Sequence, residues 1–285
     1  MNGKPAFLQR PGPINADLRD IGCQTLPQFA RGAPWRLTLL HDRPRDLLIW
    51  VTRGQGRVIV DGVRRGIGTH NALYLPAGTL FALDLGPQGL AQVVHSPPAV
   101  RKGLPDAPQH LRIRDGLAQA ELTGHIEAMQ REISSARPLM QEALQGYLGL
   151  VAVWLQRQQQ AGTGDVLKET AAHRLVHRFA HMVVRDFRSD RPMADYAEAL
   201  DVTPTHLSRA CRAACGRTAG DILTERRLYE ARSLLSRPRP AIQDIAKSLG
   251  FQSAAYFTRF IQTRTGQTPS ALRRAALERA PQGGS

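Results

Sequence analysis

Cysteine is scarce in this 285-residue chain, and the three present (Cys23, Cys211 and Cys215) make no disulfide framework of the kind that staples small secreted folds. Long hydrophobic runs are missing as well. No stretch of about eighteen apolar residues occurs, so no membrane span is expected. The opening MNGKPAFLQRPGPINADLRD lacks the apolar core of a signal peptide and reads as a loosely ordered arm. A cytoplasmic location is the expectation. Acidic residues are the third shortage: 24 Asp+Glu stand against 38 Lys+Arg, a net charge of +14. The excess is uneven. Residues 1–165 hold 18 basic and 13 acidic residues, whereas residues 166–285 hold 20 and 11, so the shorter segment carries +9 of the total. Such a balance suits a surface that meets phosphates, although a genome rich in G and C also enriches arginine.

What is present is a repeat. In AIQDIAKSLGFQSAAYFTRFIQTRTGQTP, from Ala241 to Pro269, Ile242, Ile245, Ala246 and Leu249 recur at helical spacing. Gly250 supplies a sharp turn, and Ser253 can cap a second helix carrying Phe257, Ile261 and Arg264, closed by Gly266 and Pro269. Tyr196, Ala197, Leu200 and Val202 stand 49 positions before Ile245, Ala246, Leu249 and Phe251. Leu207, Ser208, Arg209, Cys211, Gly216 and Thr218 stand 50 before Phe257, Thr258, Arg259, Ile261, Gly266 and Thr268. The change of offset falls in the turn, where an extra residue is most easily absorbed. Each copy is a helix-turn-helix, whose second helix can enter the DNA major groove.

On these residues the chain resembles the AraC-type transcriptional regulators. The resemblance covers roughly Ala172 to Arg274, with the signature I-A-x-x-L-G-F-x-S-x-x-Y-F-x-R…G-x-T-P standing at Ile245 to Pro269. Tyr196, Asp201, Ala219 and Ile261 depart from the family pattern as packing or turn variants. The resemblance implies that the first turns of both second helices read bases. Thr205, Ser208, Arg209 and Arg212 are then the DNA-facing residues of the first unit, and Ala254, Ala255, Thr258, Arg259 and Gln262 those of the second. Arginine can bond guanine O6 and N7 together, and small apolar groups can touch thymine methyls. The competing role for Arg209 and Arg259 is a phosphate clamp or an internal ion pair with Asp221 or Asp244. A helix from about Ala219 to Ser236, roughly 25 Å long, would space the two units near the ~34 Å repeat of the major groove.

Upstream, short apolar runs broken by Gly and Pro extend from Trp35 to about His95: WRLTLLH, DLLIWVTRG, RVIV, NALYLP, TLFALDL and AQVVH. Asp61-Gly62 is a two-residue hairpin signal. The pattern predicts a small barrel or jelly roll and resembles the cupin-like sensor domain that precedes this DNA-binding unit. Metal-binding cupins gather His and Glu at fixed spacing. Here Leu47 and Phe81 occupy such positions and His41, His70 and His95 are scattered, so no metal, no cofactor and no enzymatic activity are expected. An apolar barrel can enclose a small-molecule effector, with Trp50, Tyr74 and Phe81 as lining and His41 or His95 as polar anchor. These aromatics can equally well just fill the barrel.

Two helices are predicted next, Leu117 to Ser134 and Leu139 to about Gln159. Leu144, Leu148, Val151 and Leu155 form a seam that, in the resembled family, belongs to a homodimer; packing on the chain's own barrel is the alternative. The polar stretch Gln158 to Gly164 reads as a flexible linker. In the helix that follows, His173, His177 and His181 share one face beside a core stripe of Leu175, Phe179 and Val183. Solvent-facing or interface histidines are the expectation there, rather than a zinc site. Cys211 and Cys215, one turn apart, are read as core.

The expected fold class is α+β: residues 1–160 form a cupin-like β-barrel with dimerisation helices, and residues 165–285 an all-α domain of two helix-turn-helix units joined by a linker helix. The function implied is sequence-specific regulation of transcription, more often activation, with double-stranded promoter DNA, RNA polymerase and a second copy of the chain as partners. Two rivals stay open. One is an effector-independent regulator whose N-terminal half only dimerises or binds a protein; the other is a cupin enzyme with a DNA-binding appendage.

Overall fold

The computed structural model describes residues 20–164 and 170–278. These divide into two compact units: Leu39–His41, Asp61–Val63 and the chain from Thr170 onward make the second, and the remaining described residues the first. The expected N-terminal arm lies outside the described residues except for Asp20, and so do residues 165–169 ahead of the histidine-bearing helix.

The first unit runs β1 (Gly22–Thr25), α1 (Leu26–Phe29), α2 (Trp35–Thr38), β2 (Asp46–Arg53), β3 (Gln55–Val60), β4 (Val63–Gly68), β5 (Asn71–Leu75), β6 (Phe81–Asp84), β7 (Leu90–Ser96), β8 (Gln109–Arg112), α3 (Gly116–Ser135) and α4 (Met140–Gln160). Five strands form an antiparallel sheet in the order β1-β7-β2-β5-β8, and three form a second in the order β4-β3-β6. The fold is α+β, antiparallel sheets followed by helices. Asp61 (φ 44°) and Gly62 (φ 77°) make the hairpin turn between β3 and β4 with both residues at positive φ, as the Asp-Gly signal predicts. The WRLTLLH run, expected as a strand, instead begins with helical α2. Pro34 immediately precedes it, and its carbonyl accepts from the Leu37 and Thr38 amides, so the chain enters a turn that proline's fixed φ favours.

β2 explains the continuous apolar run. Asp46 to Val51 are all buried, because the five-stranded sheet is covered on both faces. Leu47, Ile49 and Val51 pack with Phe81, Leu83 and Val93 on one side. Leu48, Trp50 and Tyr74 pack on the other, with Leu122 and Ile126 of α3 and Leu148 and Trp154 of α4. Leu144, Leu148, Val151 and Leu155 all belong to this same core. They are therefore corrected from an intermolecular seam to an internal one: the sheet's outer face needs covering, and α4 covers it. The apolar side chains that α4 leaves exposed are Leu150 and Val153. The expected linker is also tied down. α4 continues to Gln160, Gln158 is buried, and the Thr163 carbonyl accepts from the Arg112 amide at 2.9 Å.

The second unit is helical: α5 (Ala171–Asp186), α6 (Met193–Glu198), α7 (Pro204–Cys215), α8 (Ala219–Leu235), α9 (Ile242–Ser248), α10 (Ala254–Thr265) and α11 (Pro269–Glu278). Thr170 caps α5 by accepting from the His173 amide. Its core stripe is Val176, Phe179, Ala180 and Val183, with Leu175 only half-buried, so the stripe runs one residue later than expected at its start. Pro269 opens a further helix rather than only ending α10.

Candidate nucleic-acid interface

The two helix-turn-helix units are built alike. Thr203 caps α7 by accepting from the His206 amide at 3.2 Å, and Ser253 caps α10 by accepting from the Tyr256 amide at 3.1 Å. Both helices end on glycines in the left-handed conformation, Gly216 (φ 80°) and Gly266 (φ 71°). Leu207, Ala210 and Cys211 face the core from α7, and Phe257 and Ile261 do so from α10. Burial pushes the Cys211 thiol up to about 12, with Cys215 adding to the rise, which fits a packing role for both cysteines.

The turns between the paired helices differ for a physical reason. Asp201 and Gly250 hold equivalent positions, both at positive φ (57° and 75°). Asp201 is exposed, so a side chain costs only the left-handed conformation, which Asp tolerates. At Gly250 a Cβ would stand 2.7 Å from the Ser189 carbonyl carbon and 2.8 Å from the Arg188 oxygen. Backbone packs directly onto backbone there, and only glycine fits.

α8 is tied to the chain just after α5 through a buried charge cluster. Arg226 pairs with Glu230 at 3.0 Å, Arg188 pairs with the same carboxylate at 2.6 Å, and the Arg226 guanidinium lies 3.7 Å above the Phe187 ring. Burial pushes the Glu230 carboxyl up, but Arg226 and Arg188 outweigh it and hold the group below its ordinary value. Thr218 and Asp221 form a capping box at the start of α8, so Asp221 is committed to the helix end rather than to Arg209.

Every expected DNA-facing residue reaches the surface of the second unit. Thr205, Arg209 and Arg212 are exposed on α7, as are Ala254, Ala255, Arg259 and Gln262 on α10; Ser208 and Thr258 are half-exposed. Among the described residues neither Arg209 nor Arg259 makes an ion pair, with Asp221, Asp244 or any other acid. The Thr258 hydroxyl donates to the Ala254 carbonyl at 2.8 Å. One pair escaped the sequence reading. His206 and Tyr256 occupy the same position of the repeat and both point outward, Tyr256 being 61% exposed. The Tyr-Phe doublet hid this, because only Phe257 enters the core; helical parity was the available signal.

The five effector candidates do not come together. Trp50 and Tyr74 lie on the helix-covered face of the five-stranded sheet, whereas Phe81 lies between the sheets. Trp50 donates to Thr123 Oγ1 at 3.2 Å and meets Trp154 edge-on. His41 belongs to the second unit, where its ring stacks on Tyr229 at 4.2 Å. His95 is largely buried, and burial, with Arg45 and Arg43 nearby, pushes it down to about 4. Strand alternation decides this separation: Trp50 has the opposite parity to Ile49, whose face looks between the sheets. Trp50 instead lines a cleft of ≈ 510 Å³ with Thr52, His70, Gln119, Thr123 and Glu127.

A helix-turn-helix domain family matches residues 196–275. The transcriptional activator RhaR of Escherichia coli K12 is 26% identical over 158 residues, which are 55% of this chain and 55% of RhaR, so the chain spans only about half the length of that relative. ToxT from Vibrio cholerae O395 aligns over 90% of this chain and 97% of its own with a TM-score of 0.41 and 13% identity. The C-terminal domain of AraT, a response regulator from Geobacillus stearothermophilus, aligns over 38% of this chain and 88% of its own, with a TM-score of 0.34 and 26% identity. The doubled, capped and Arg-bearing helix pairs are the part of this chain that matches the helix-turn-helix domain family.

Proposed function

We propose that this protein is a sequence-specific DNA-binding regulator of transcription, and that it activates by contact with RNA polymerase at promoters. The observation that carries the reading is the pair of equivalent helices, α7 and α10, whose outward Arg209 and Arg259 have no acidic partner among the described residues. α8 lies between them in the chain, so one chain would read two half-elements on one DNA face. Ala254 and Ala255 offer no hydrogen bonds to base edges from their side chains. The second unit then relies on Arg259 for direct readout and on groove shape for the rest. Residues 1–160 would serve sensing and residues 165–285 DNA binding.

Selection of bound fragments from genomic DNA by the full chain tests the reading. Enrichment of a common two-part element supports it; binding no tighter than to random competitor at moderate ionic strength overturns it. A second part of the reading concerns the first unit. The Trp50 cleft, with His70 stacked at 5.9 Å from the indole, is the place for a small-molecule effector. Metabolites that raise the melting temperature and change Trp fluorescence support that. Self-association would use the exposed Leu150 and Val153 of α4. No catalytic step is assigned to the chain; turnover by an iron-loaded sample would favour the cupin-enzyme reading instead.

A further inference from the structure

We propose that Asp61, His177 and His181 form a binding site for one divalent d-block ion, with zinc as its representative. α5 sets His177 and His181 one turn apart, with ring centroids 4.5 Å apart and Nε2 facing Nε2 at 3.4 Å. The third ligand comes from a distant part of the sequence: Asp61 Oδ2 stands 3.4 Å from His177 Nε2, and the three donor atoms lie within 4.8 Å of one another.

The distances suit ligands gathered around one ion. A direct N–H···O or N–H···N bond closes to roughly 2.7–3.2 Å. Two ligands each about 2.0–2.1 Å from a tetrahedral ion stand roughly 3.3–3.4 Å apart, and two of the three edges have that length. The chemistry agrees. Two imidazole nitrogens and one carboxylate oxygen within 4.8 Å of one another are a donor set that a divalent cation can take. The remaining edge has to close by an ångström or so. His181 is exposed and free to rotate onto the ion.

The carboxylate is held in advance. Asp61 is only 4% exposed and sits in the Asp-Gly turn, and a Cβ on Gly62 would stand 2.4 Å from Val176 Cγ1. The turn is thus seated against α5 beside Val176, the neighbour of His177. This is a ligand fixed by packing, unlike a solvated surface acid. Two imidazole nitrogens and one carboxylate oxygen suit Zn²⁺, Co²⁺ or Ni²⁺ and leave a fourth position for water. No residue of α7 or α10 is among the three ligands. His177 and His181 are solvent-facing as expected, and the spacing within α5 does not reveal Asp61 beside them.

Titration of untagged, chelator-stripped full-length protein with Zn²⁺ by calorimetry tests the site. One ion per chain is expected. His177→Ala, His181→Ala and Asp61→Asn should each weaken binding by about tenfold or more. The two histidines are exposed and Asn tolerates positive φ, so these variants keep the fold. His173→Ala, one turn away on the same helix, should bind as the wild type does. Co²⁺ should give the intense visible absorption of a tetrahedral site in the wild type and lose it in His177→Ala. Wild-type binding no tighter than that of the double variant His177→Ala/His181→Ala overturns the site. So does an unchanged affinity in Asp61→Asn, or a loss in His173→Ala equal to that in His177→Ala.

Discussion

Exchanging the two turn residues, Gly250→Asp and Asp201→Gly, should produce unequal outcomes at positions the repeat makes equivalent. At Gly250 the new side chain meets two costs. The left-handed backbone (φ 75°) costs an L-residue about 1 kcal/mol, somewhat less for Asp. The Cβ, 2.7–2.8 Å from backbone atoms of Arg188 and Ser189, forces main chain to move, an overpacking cost of about 1–3 kcal/mol. The sum is about 2–4 kcal/mol. At Asp201 the turn is exposed, so removing the side chain relieves the left-handed strain while loosening the unfolded chain. These effects nearly cancel, leaving a change within about 1 kcal/mol. Urea unfolding of the full chain, followed by helical circular dichroism, reads both. Gly250→Asp should lower the midpoint clearly, and should weaken DNA binding because α9 and α10 are displaced with the turn. Equal small effects at the two sites would refute the argument that backbone-on-backbone packing, and not turn conformation, demands glycine.

Other outcomes follow from the same structure. Arg209→Ala or Arg259→Ala should each weaken specific DNA binding by about 1–3 kcal/mol and relax preference at one position of the element; an unchanged preference in both excludes base reading. Leu148→Ala should destabilise the first unit by about 2–5 kcal/mol without altering the sedimenting mass, since Leu148 is 5% exposed in the chain's own core. His95 carries a folded value of about 4 against an ordinary one near 6.5, so the unfolded chain takes up the proton first as pH falls. The resulting stability is present above about pH 6.5 and is lost as pH falls towards 4, by at most about 3 kcal/mol. His95→Gln should flatten that slope in denaturant midpoints measured across the window.

Parts of the site were legible because they depend on near neighbours. The spacing of Leu207 and Cys211, and of Phe257 and Ile261, places the core side of α7 and α10 and therefore puts Arg209 and Arg259 outside. Caps at Thr203 and Ser253 and glycines at 216 and 266 mark the ends of both helices in the same way. The effector candidates failed at a different level. Trp50, Tyr74 and Phe81 are aromatic strand residues, but the pattern DLLIWV is apolar at every position and does not say which parity faces which layer. Leu144, Leu148, Val151 and Leu155 make a seam that is identical in sequence whether its partner is another chain or the sheet below.

The amino-acid sequence on its own determined what local periodicity can encode: the helices of the second unit, their caps, the Asp61-Gly62 turn and the exposed basic faces. Those features arise from backbone sterics and side-chain alternation over a few residues. Tertiary structure alone decided which sheet face the helices cover, why Gly250 admits no side chain while Asp201 does, and that Asp61 meets His177 and His181. Each of those depends on groups far apart in the chain, and packing rather than spacing brings them within reach.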